Sequence, residues 1–184
     1  MTTAIEHGTW IDIETPDGTM RAYTCNPAAR PAAAVVVLQE AFGVTDYVQD
    51  VTRRLAREGY LAVAPDLFHR EERQRLDYDD TATAMATIGR LGPDQIIPDV
   101  RAAIGEVERR HGIGCGSVAL PGFCFGGRAA FTAATAGDPL AGTVVFYGRG
   151  IASGPWAVLN RHVADAAWAK TLCFLGSVTG RRER

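Results

Sequence analysis

Hydrophobic positions along this chain recur with two different periods, and these periods predict strands and helices in turn. Residues 9–15 and 19–25 alternate apolar and polar side chains around the turn Pro16-Asp17-Gly18, a pattern that predicts a β-hairpin. Continuous apolar runs, typical of strands buried on both faces, follow at 35–38, 61–64, 118–120, 143–147 and 172–175.

Apolar residues at helical spacing fill the intervals between these strands. They predict helices over 46–58, weakly over 79–90, from near Pro98 to Gly112, over 128–136 and over 160–169. Because strands alternate with helices, we expect right-handed βαβ crossovers and a mostly parallel sheet. The predicted fold class is α/β, with an antiparallel hairpin at the N-terminal side.

The composition fits one globular domain. The chain has 184 residues, of which 47% are hydrophobic and 22% charged, and its net charge is −2. This balance offers no basic field for nucleic acid or an anionic membrane surface. The longest apolar runs, such as residues 32–38, are too short to cross a bilayer. We therefore expect no nucleic-acid partner and no membrane partner.

Cysteine usage and the lack of ligand-binding motifs narrow the chemistry further. The 4 cysteines are scattered without a C-x-x-C pair, and the N-terminus carries no hydrophobic secretory segment. This usage predicts free thiols in a cytoplasmic setting. We find no metal-ligand cluster, phosphate-cradling loop or dinucleotide fingerprint, so no metal and no cofactor is expected.

One cysteine lies at a turn between a predicted strand and a predicted helix. The strand 118–120 runs into Gly122-Phe123-Cys124-Phe125-Gly126-Gly127, where the glycines leave room for the helix to pass close to the strand. A thiol at this corner faces a helix N-terminus, whose positive end favours a thiolate. The pattern predicts a nucleophile, and the alternative is a small buried hydrophobe.

Several stretches together resemble the dienelactone hydrolase family, also called carboxymethylenebutenolidase-like, of the α/β-hydrolase fold. The resemblance runs to about Gly148 and implies a three-layer sandwich that hydrolyses a small ester or lactone. The stretches are Gln39-Glu40-Ala41-Phe42-Gly43-Val44, Gly59-Tyr60, Ala64-Pro65-Asp66-Leu67-Phe68, Gly122-Phe123-Cys124-Phe125-Gly126-Gly127 and Phe146-Tyr147-Gly148.

The resemblance implies a catalytic role for each matching residue. Cys124 would be the nucleophile that opens the ester or lactone through an acyl-thioester, and Glu40 would lie near the thiol and help to activate it. The backbone N–H groups of Ala41 and Phe125 would form the oxyanion hole. Glu40 also ends a buried strand, where the ligand crevice of an open α/β sheet lies.

Two further residues are expected to contact the substrate. Arg75 lies in a segment similar to the one from which the family supplies an arginine to a substrate carboxylate, although Arg70 or Arg73 could serve instead. Tyr147 ends a predicted strand and could line the pocket, or be a core or rim aromatic. The expected ligand is a small ester or lactone, which could itself carry a carboxylate.

The chain departs from the family pattern after its last predicted strand. The family's Cys-His-Asp triad needs an Asp just after residues 172–175 and a His in a later loop, and neither follows before Arg184. We expect an incomplete domain over 1–176 that lacks its last strand and helix, and a polar tail over 177–184. An exposed apolar edge at 171–175 would then favour poor solubility or self-association.

Three functional hypotheses stay open at this point. The first is a hydrolase that acts through Cys124. The second is a catalytically inactive homologue that lacks the triad Asp and His and keeps a pocket or an interaction surface. Of the histidines in the chain, His69 is expected on the crevice side and could serve as a base, while His7, His111 and His162 are expected at the surface. The third is a thiol enzyme similar to class I glutamine amidotransferases, which lack a counterpart of residues 39–43.

Overall fold

A computed structural model describes residues 8–147 and 164–180 of the chain. Six strands form one sheet in the order β1-β2-β4-β3-β5-β6. The strands are β1 (Thr9–Thr15), β2 (Gly18–Cys25), β3 (Ala34–Val36), β4 (Leu61–Pro65), β5 (Val118–Phe123) and β6 (Gly142–Phe146). The helices are α1 (Asp46–Arg57), α2 (Thr81–Arg90), α3 (Pro93–His111), α4 (Phe125–Ala134) and α5 (Ala164–Val178).

The sheet is mixed, as the alternating pattern predicted. β1 and β2 form an antiparallel hairpin, and β2 continues antiparallel to β4. The strands β4, β3, β5 and β6 are parallel to one another. The mostly parallel α/β sheet with an N-terminal antiparallel hairpin, expected from the sequence, is therefore confirmed, and the parallel strands end at one edge of the sheet.

Successive residues of the buried strands point to opposite faces of the sheet. Val36 and Leu38 pack on the face that α3 and α4 cover, whereas Val35 and Val37 pack on the face that α1 covers. Each of these four side chains is 0% exposed. Because both faces are covered by helices, a strand here is apolar at every position, which is why 35–38 reads as a continuous run.

Helix α3 begins at Pro93, so the predicted start near Pro98 was wrong. Pro93 occupies the first turn after Gly92, whose N–H donates to the Gln95 side chain. Pro98 lies inside the helix, where it lacks the N–H that would donate to the Asp94 carbonyl. The helix ends at His111, and Gly112 lies just beyond its end as predicted, with a left-handed φ of 68°.

The predicted strand at 172–175 was also wrong, because these residues belong to helix α5. Thr171 and Leu175 are buried at helical spacing, while Cys173 and Phe174 between them are exposed. Short apolar runs do not distinguish a strand from a buried helix by periodicity alone. An exposed strand edge at 171–175, the predicted cause of self-association, therefore does not exist.

Three smaller differences concern helix ends. Helix α4 begins at Phe125, directly after Cys124, and thus earlier than the predicted residue 128. The helix over 160–169 is described only from Ala164, and α5 continues through Ser177 and Val178, inside the segment expected to be a polar tail.

Among the described residues, no helix combines the length and apolar character needed to cross a membrane.

Candidate active site

Three neighbouring strand ends bring Glu40, Cys124 and Tyr147 to the same level of the sheet. Leu38 pairs with Gly122 in the parallel register, so Glu40 and Cys124 each lie two residues further on. Phe123 pairs with Phe146, so Tyr147 is level with Cys124 on the other side. Cys124 is therefore the middle of three adjacent positions at the carboxyl edge, where open α/β sheets bind ligands.

Cys124 has the backbone conformation of a sharp strand-to-helix turn. Its φ is 53° and its ψ is −111°, and Phe125 then begins α4. Its N–H donates a hydrogen bond of 3.0 Å to the Phe146 carbonyl, which ties the turn to the end of β6. Within residues 8–147 and 164–180, only Cys124 and Tyr147 are non-glycine residues with positive φ. Such conformations are costly and cluster at functional sites.

Two glycines allow the close contact of backbones that this turn requires. A Cβ on Gly122 would collide with the Gly126 carbonyl, and a Cβ on Gly126 would collide with the carbonyls of Leu38 and Gln39. The start of α4 thus rests directly on the end of β3. The steric argument made from the sequence for these glycines is confirmed at both positions.

The thiol of Cys124 is half-buried and is placed at the N-terminus of α4. The first N–H groups of a helix lack acceptors within the helix, and the helix dipole places a partial positive charge there. Both effects stabilise negative charge that develops on an oxygen bound next to the sulfur. The arrangement can therefore support attack of a thiolate on a carbonyl carbon.

Glu40 carries a carboxylate whose surroundings favour proton uptake. Burial raises the pKa of Glu40, and a hydrogen bond from the Tyr147 hydroxyl to Oε1, 3.3 Å long, partly offsets that rise. Burial likewise raises the pKa of Tyr147, and the charge of Glu40 and their hydrogen bond raise it further. The phenol of Tyr47 also has a raised pKa, through burial and then the Glu40 charge.

Aromatic rings fix the strand ends behind these groups. Phe123 and Phe146 stack with ring centres 4.6 Å apart, and Tyr47 meets the Phe123 ring edge-on at 5.7 Å. Aromatic contacts of this kind add to the stabilisation that burial alone provides. They join β5, β6 and the first turn of α1 next to Cys124.

Gln39 is a residue of this site that the sequence analysis left without a role. Its side chain is 0% exposed, and its Oε1 accepts a 3.0 Å hydrogen bond from the Leu67 N–H in the loop after β4. This bond holds the chain immediately before Glu40 and Ala41. The available signal was a polar amide at the end of a fully apolar strand. Burial of an amide is costly unless it is hydrogen-bonded, and here Oε1 is bonded while Nε2 is buried without a partner among the described residues.

Ala41 and Phe125, the predicted oxyanion donors, belong to segments that the structure places side by side. Ala41 is 1% exposed and follows Glu40, and Phe125 is 2% exposed and is the first residue of α4. Gly126 rests on the backbone of Leu38 and Gln39, so the two segments approach within contact distance. Their roles as donors stay a prediction.

The loop that contains Arg75 pairs its arginines with aspartates. Arg75 donates two hydrogen bonds, of 2.9 and 2.7 Å, to Asp46 in the first turn of α1. The two alternatives are also engaged, Arg70 with aspartates including Asp99 and Arg73 with an aspartate at the start of α2. The role of Arg75 in binding a substrate carboxylate therefore stays a prediction, and it requires Asp46 to give up its partner.

Neither histidine that the structure describes is placed as a base for the Cys124 thiol. The His69 side chain is 3% exposed, and its Nε2 lies 3.3 Å from Asp99 Oδ2 on α3. His111 ends α3 at the opposite, amino edge of the sheet, and burial lowers its pKa. His7 and His162 lie outside the described residues. Within the described part of the chain, no three His, Cys, Asp or Glu side chains form a metal-binding group.

Comparison with known proteins gives one consistent family. The model of the family described as "Dienelactone hydrolase family" matches residues 20–177. A Yersinia pestis protein, named as a candidate carboxymethylenebutenolidase, is 36% identical over 131 residues, covering 70% of this chain and 48% of the relative. A Salmonella typhi protein with the same description is 32% identical over 188 residues, covering 92% of this chain and 68% of the relative.

Solved structures give the same result. A candidate dienelactone hydrolase from Klebsiella pneumoniae superposes with a TM-score of 0.69 at 29% identity, over 77% of this chain and 60% of that one. A dienelactone-hydrolase-like promiscuous phosphotriesterase from metagenomic libraries gives a TM-score of 0.66 at 27% identity, over 79% and 60%. The chain spans about half to two thirds of the length of the curated relatives it matches first.

Proposed function

Because this chain belongs to the dienelactone hydrolase family, whose model matches residues 20–177, we propose that it hydrolyses a small carboxylic ester or lactone through Cys124. The observation that carries the proposal is the positive-φ turn at Cys124, between β5 and α4 and level with Glu40. This turn lies at the carboxyl end of the parallel strands, where a nucleophile of this fold is required.

The proposed reaction proceeds through a thioester. Glu40 takes the thiol proton, and the Cys124 sulfur attacks the carbonyl carbon, forming a C–S bond while the oxyanion develops. The C–O bond of the ester or lactone then breaks, and the leaving oxygen takes the proton from Glu40. Water attacks the thioester, which releases the acid and returns the thiol.

The oxyanion is assigned to the N–H groups of Phe125 and Ala41. Phe125 is the first residue of α4, so its N–H has no acceptor within the helix and is free to donate outward. Preorganised backbone donors of this kind lower the barrier without costing reorganisation during the reaction. The assignment of these two N–H groups is supported by the contact between Gly126 and the backbone of Leu38 and Gln39, because this contact brings the two segments together.

The substrate is proposed to be small, and it could carry a carboxylate that Arg75 binds. Arg75 is half-exposed and pairs with Asp46, which is 79% exposed, and exposed ion pairs are weak. A substrate carboxylate could therefore compete with Asp46 for the guanidinium. We expect Tyr147 to line the pocket in this complex.

An inactive homologue is the alternative function, and one observation favours it. The two histidines that the structure describes are held elsewhere, since His69 faces Asp99 and His111 lies at the far edge. A protein with the thiol and the oxyanion donors but no histidine base would be acylated and would turn over slowly. Removal of a triad member leaves a residual rate of order 10³–10⁴ over water in a well-studied hydrolase.

Aryl-ester and lactone hydrolysis by matched cysteine variants tests the proposal. We expect Cys124→Ala to lose at least about 100-fold in kcat/KM, because the thioester route is gone. The control is Cys173→Ala on the exposed face of α5, which should retain the wild-type rate. Mass spectrometry of the quenched reaction should find the acyl group on Cys124.

Two outcomes contradict different parts of the proposal. Equal rates for the wild type and the Cys124→Ala variant would exclude Cys124 as the nucleophile. Stable acylation of Cys124 without release of acid would support the inactive homologue instead.

A further inference from the structure

Tyr147 reaches across the end of the strand that carries the candidate nucleophile. It follows β6, whereas its hydrogen-bond acceptor Glu40 follows β3, and both strands pair with β5. The ends of β3 and β6 are therefore separated by two inter-strand spacings, about 9–10 Å in total. The 3.3 Å hydrogen bond between the Tyr147 hydroxyl and Glu40 Oε1 spans this interval, past the position of Cys124.

The backbone directs Tyr147 into this position. Its φ of 43° is unusual for a bulky residue, and such strain persists only when surrounding contacts impose it. The preceding carbonyl, of Phe146, accepts the Cys124 N–H, and the Phe146 ring stacks on Phe123. The same turn that presents the thiol thus also sets the direction of the phenol.

We infer that Tyr147 is a positioning residue whose phenol holds the Glu40 carboxylate beside the Cys124 thiol. The inference rests on the proposed function, in which Glu40 receives the thiol proton. A half-buried carboxylate needs a hydrogen-bond donor to stay charged and to keep one orientation. Tyr147 supplies that donor from the strand on the far side of the nucleophile.

The groups that face Glu40 come from three elements. Tyr147 approaches from the end of β6 and Tyr47 from α1, whose phenol is affected by the Glu40 charge. Cys124, at the end of β5, is level with Glu40 in the strand register. Around Tyr47 lie the further charged groups Arg54 and Asp50. Of these groups, Tyr147 is the one whose hydrogen bond lowers the pKa of Glu40 against the effect of burial.

Removal of the phenol hydroxyl should therefore change how the Glu40 and Cys124 pair titrates. Without the donor, the carboxylate binds its proton more tightly, so the pair loses its first proton at higher pH. The reactive form, in which Glu40 has taken the thiol proton, then reaches its plateau at higher pH. A purely structural role for Tyr147 would slow the reaction without moving this pH.

Alkylation of Cys124 by iodoacetamide, followed across pH by peptide mass spectrometry, measures this directly. In Tyr147→Phe we expect the acid limb of the alkylation rate to move up by about half a pH unit or more. The control is Tyr78→Phe, since the Tyr78 hydroxyl donates to Thr45 at the same edge, and its limb should stay in place. Exposed Cys173 gives the reference rate, and buried Cys25 should stay unmodified in every folded variant.

The same measurement in a Glu40→Gln background tests whether Tyr147 acts through Glu40. There, Tyr147→Phe should have no further effect, because the group that the phenol positions is gone. An unmoved acid limb in Tyr147→Phe, or an equal shift in the Glu40→Gln background, would overturn the inference. The alkylation rate is measured without an ester substrate, so the two proposals can fail separately. If the acid limb moves but no ester is hydrolysed, only the proposed function is rejected. If Cys124 hydrolyses the ester but the acid limb does not move, only the inference about Tyr147 is rejected.

Discussion

At the scale of single residues, the contact of Gly126 with the backbone of Leu38 and Gln39 is a steric constraint on the candidate site. A methyl group at Gly126 meets the carbonyls of Leu38 and Gln39, which are backbone atoms and cannot rotate away. We expect Gly126→Ala to lower the free energy of unfolding by at least about 2 kcal/mol, since α4 must move off β3. Urea unfolding measures this.

Gly105 provides the matched control for that substitution. It also lies in a helix, α3, but nothing lies within 4 Å of a Cβ added there. Gly105→Ala should be neutral or stabilising by up to about 1 kcal/mol, because alanine is the better helix former. Similar losses at both glycines would mean that backbone contact at Gly126 is not what matters.

Asp66 gives a prediction about pH at the same scale. Burial raises its pKa to about 6, against a hydrogen bond from the Phe68 N–H and the nearby His69. The folded protein therefore binds a proton at Asp66 that the unfolded chain has released above its ordinary pKa of 3.8. It follows that the contribution of Asp66 to stability is present below about pH 4 and lost as the pH rises through about 6.

Asp66→Asn should remove this loss, because asparagine accepts the same hydrogen bond without ionising. We expect the variant to be more stable than the wild type at pH 7, by on the order of 2 kcal/mol, and to lose that advantage near pH 4. Thermal unfolding across pH measures the difference. Asp12→Asn, at an exposed position of β1, is the control, and an identical pH trend in both variants would contradict the assignment.

At the scale of elements, Arg70 connects three parts of the fold behind the site. It donates two hydrogen bonds of 2.7 and 2.9 Å to the buried Asp99 of α3 and further bonds to Asp17 in the hairpin turn. Hydrogen bonds from His69 and Arg70 lower the pKa of Asp99, although burial works to raise it. Loss of Arg70 would leave Asp99 short of its main charge partner in the interior.

Arg70→Ala should therefore destabilise the protein by about 3 kcal/mol, the scale seen when one partner of a buried ion pair is removed. Arg73 lies in the same loop and pairs with Asp80, but its side chain is 56% exposed. Arg73→Ala should cost less than about 0.5 kcal/mol, as exposed pairs do. Chemical unfolding measures the loss of unfolding free energy in the two variants. Equal losses would mean that burial of the ion pair is not what distinguishes Arg70 from Arg73.

The sequence specified most elements because their patterns are local. The hairpin followed from alternation around Pro16-Asp17-Gly18, and α1 followed from its spaced apolar residues and from Gly59. The errors arose where local signals compete. Either Pro93 or Pro98 could begin α3, and residues 172–175 fit a strand as well as a helix until their packing on β6 is known.

At the scale of the whole molecule, the candidate site divides into a local part and a part that depends on strand order. The turn at Cys124 was predictable because its glycines and its flanking strand and helix are contiguous in sequence. The bond between Tyr147 and Glu40 joins residues 107 positions apart and exists only because β3 and β6 flank β5. Register of this kind is a tertiary property, so the sequence placed both residues at strand ends without placing them together.

The strand order also predicts how stability is distributed across the sheet. β3 lies between β4 and β5, and its residues Val35 and Val36 are 0% exposed, whereas the described part of the chain pairs β6 with β5 alone. Amides bonded to central, fully buried strands open only in large-scale unfolding, while edge amides open locally. We therefore expect hydrogen exchange in β3 to be at least about tenfold slower than in β6, after correction for intrinsic rates. The opposite edge strand, β1, is the matched comparison, and β6 amides as protected as those of β3 would mean that a further element covers the Cys124 side of the sheet.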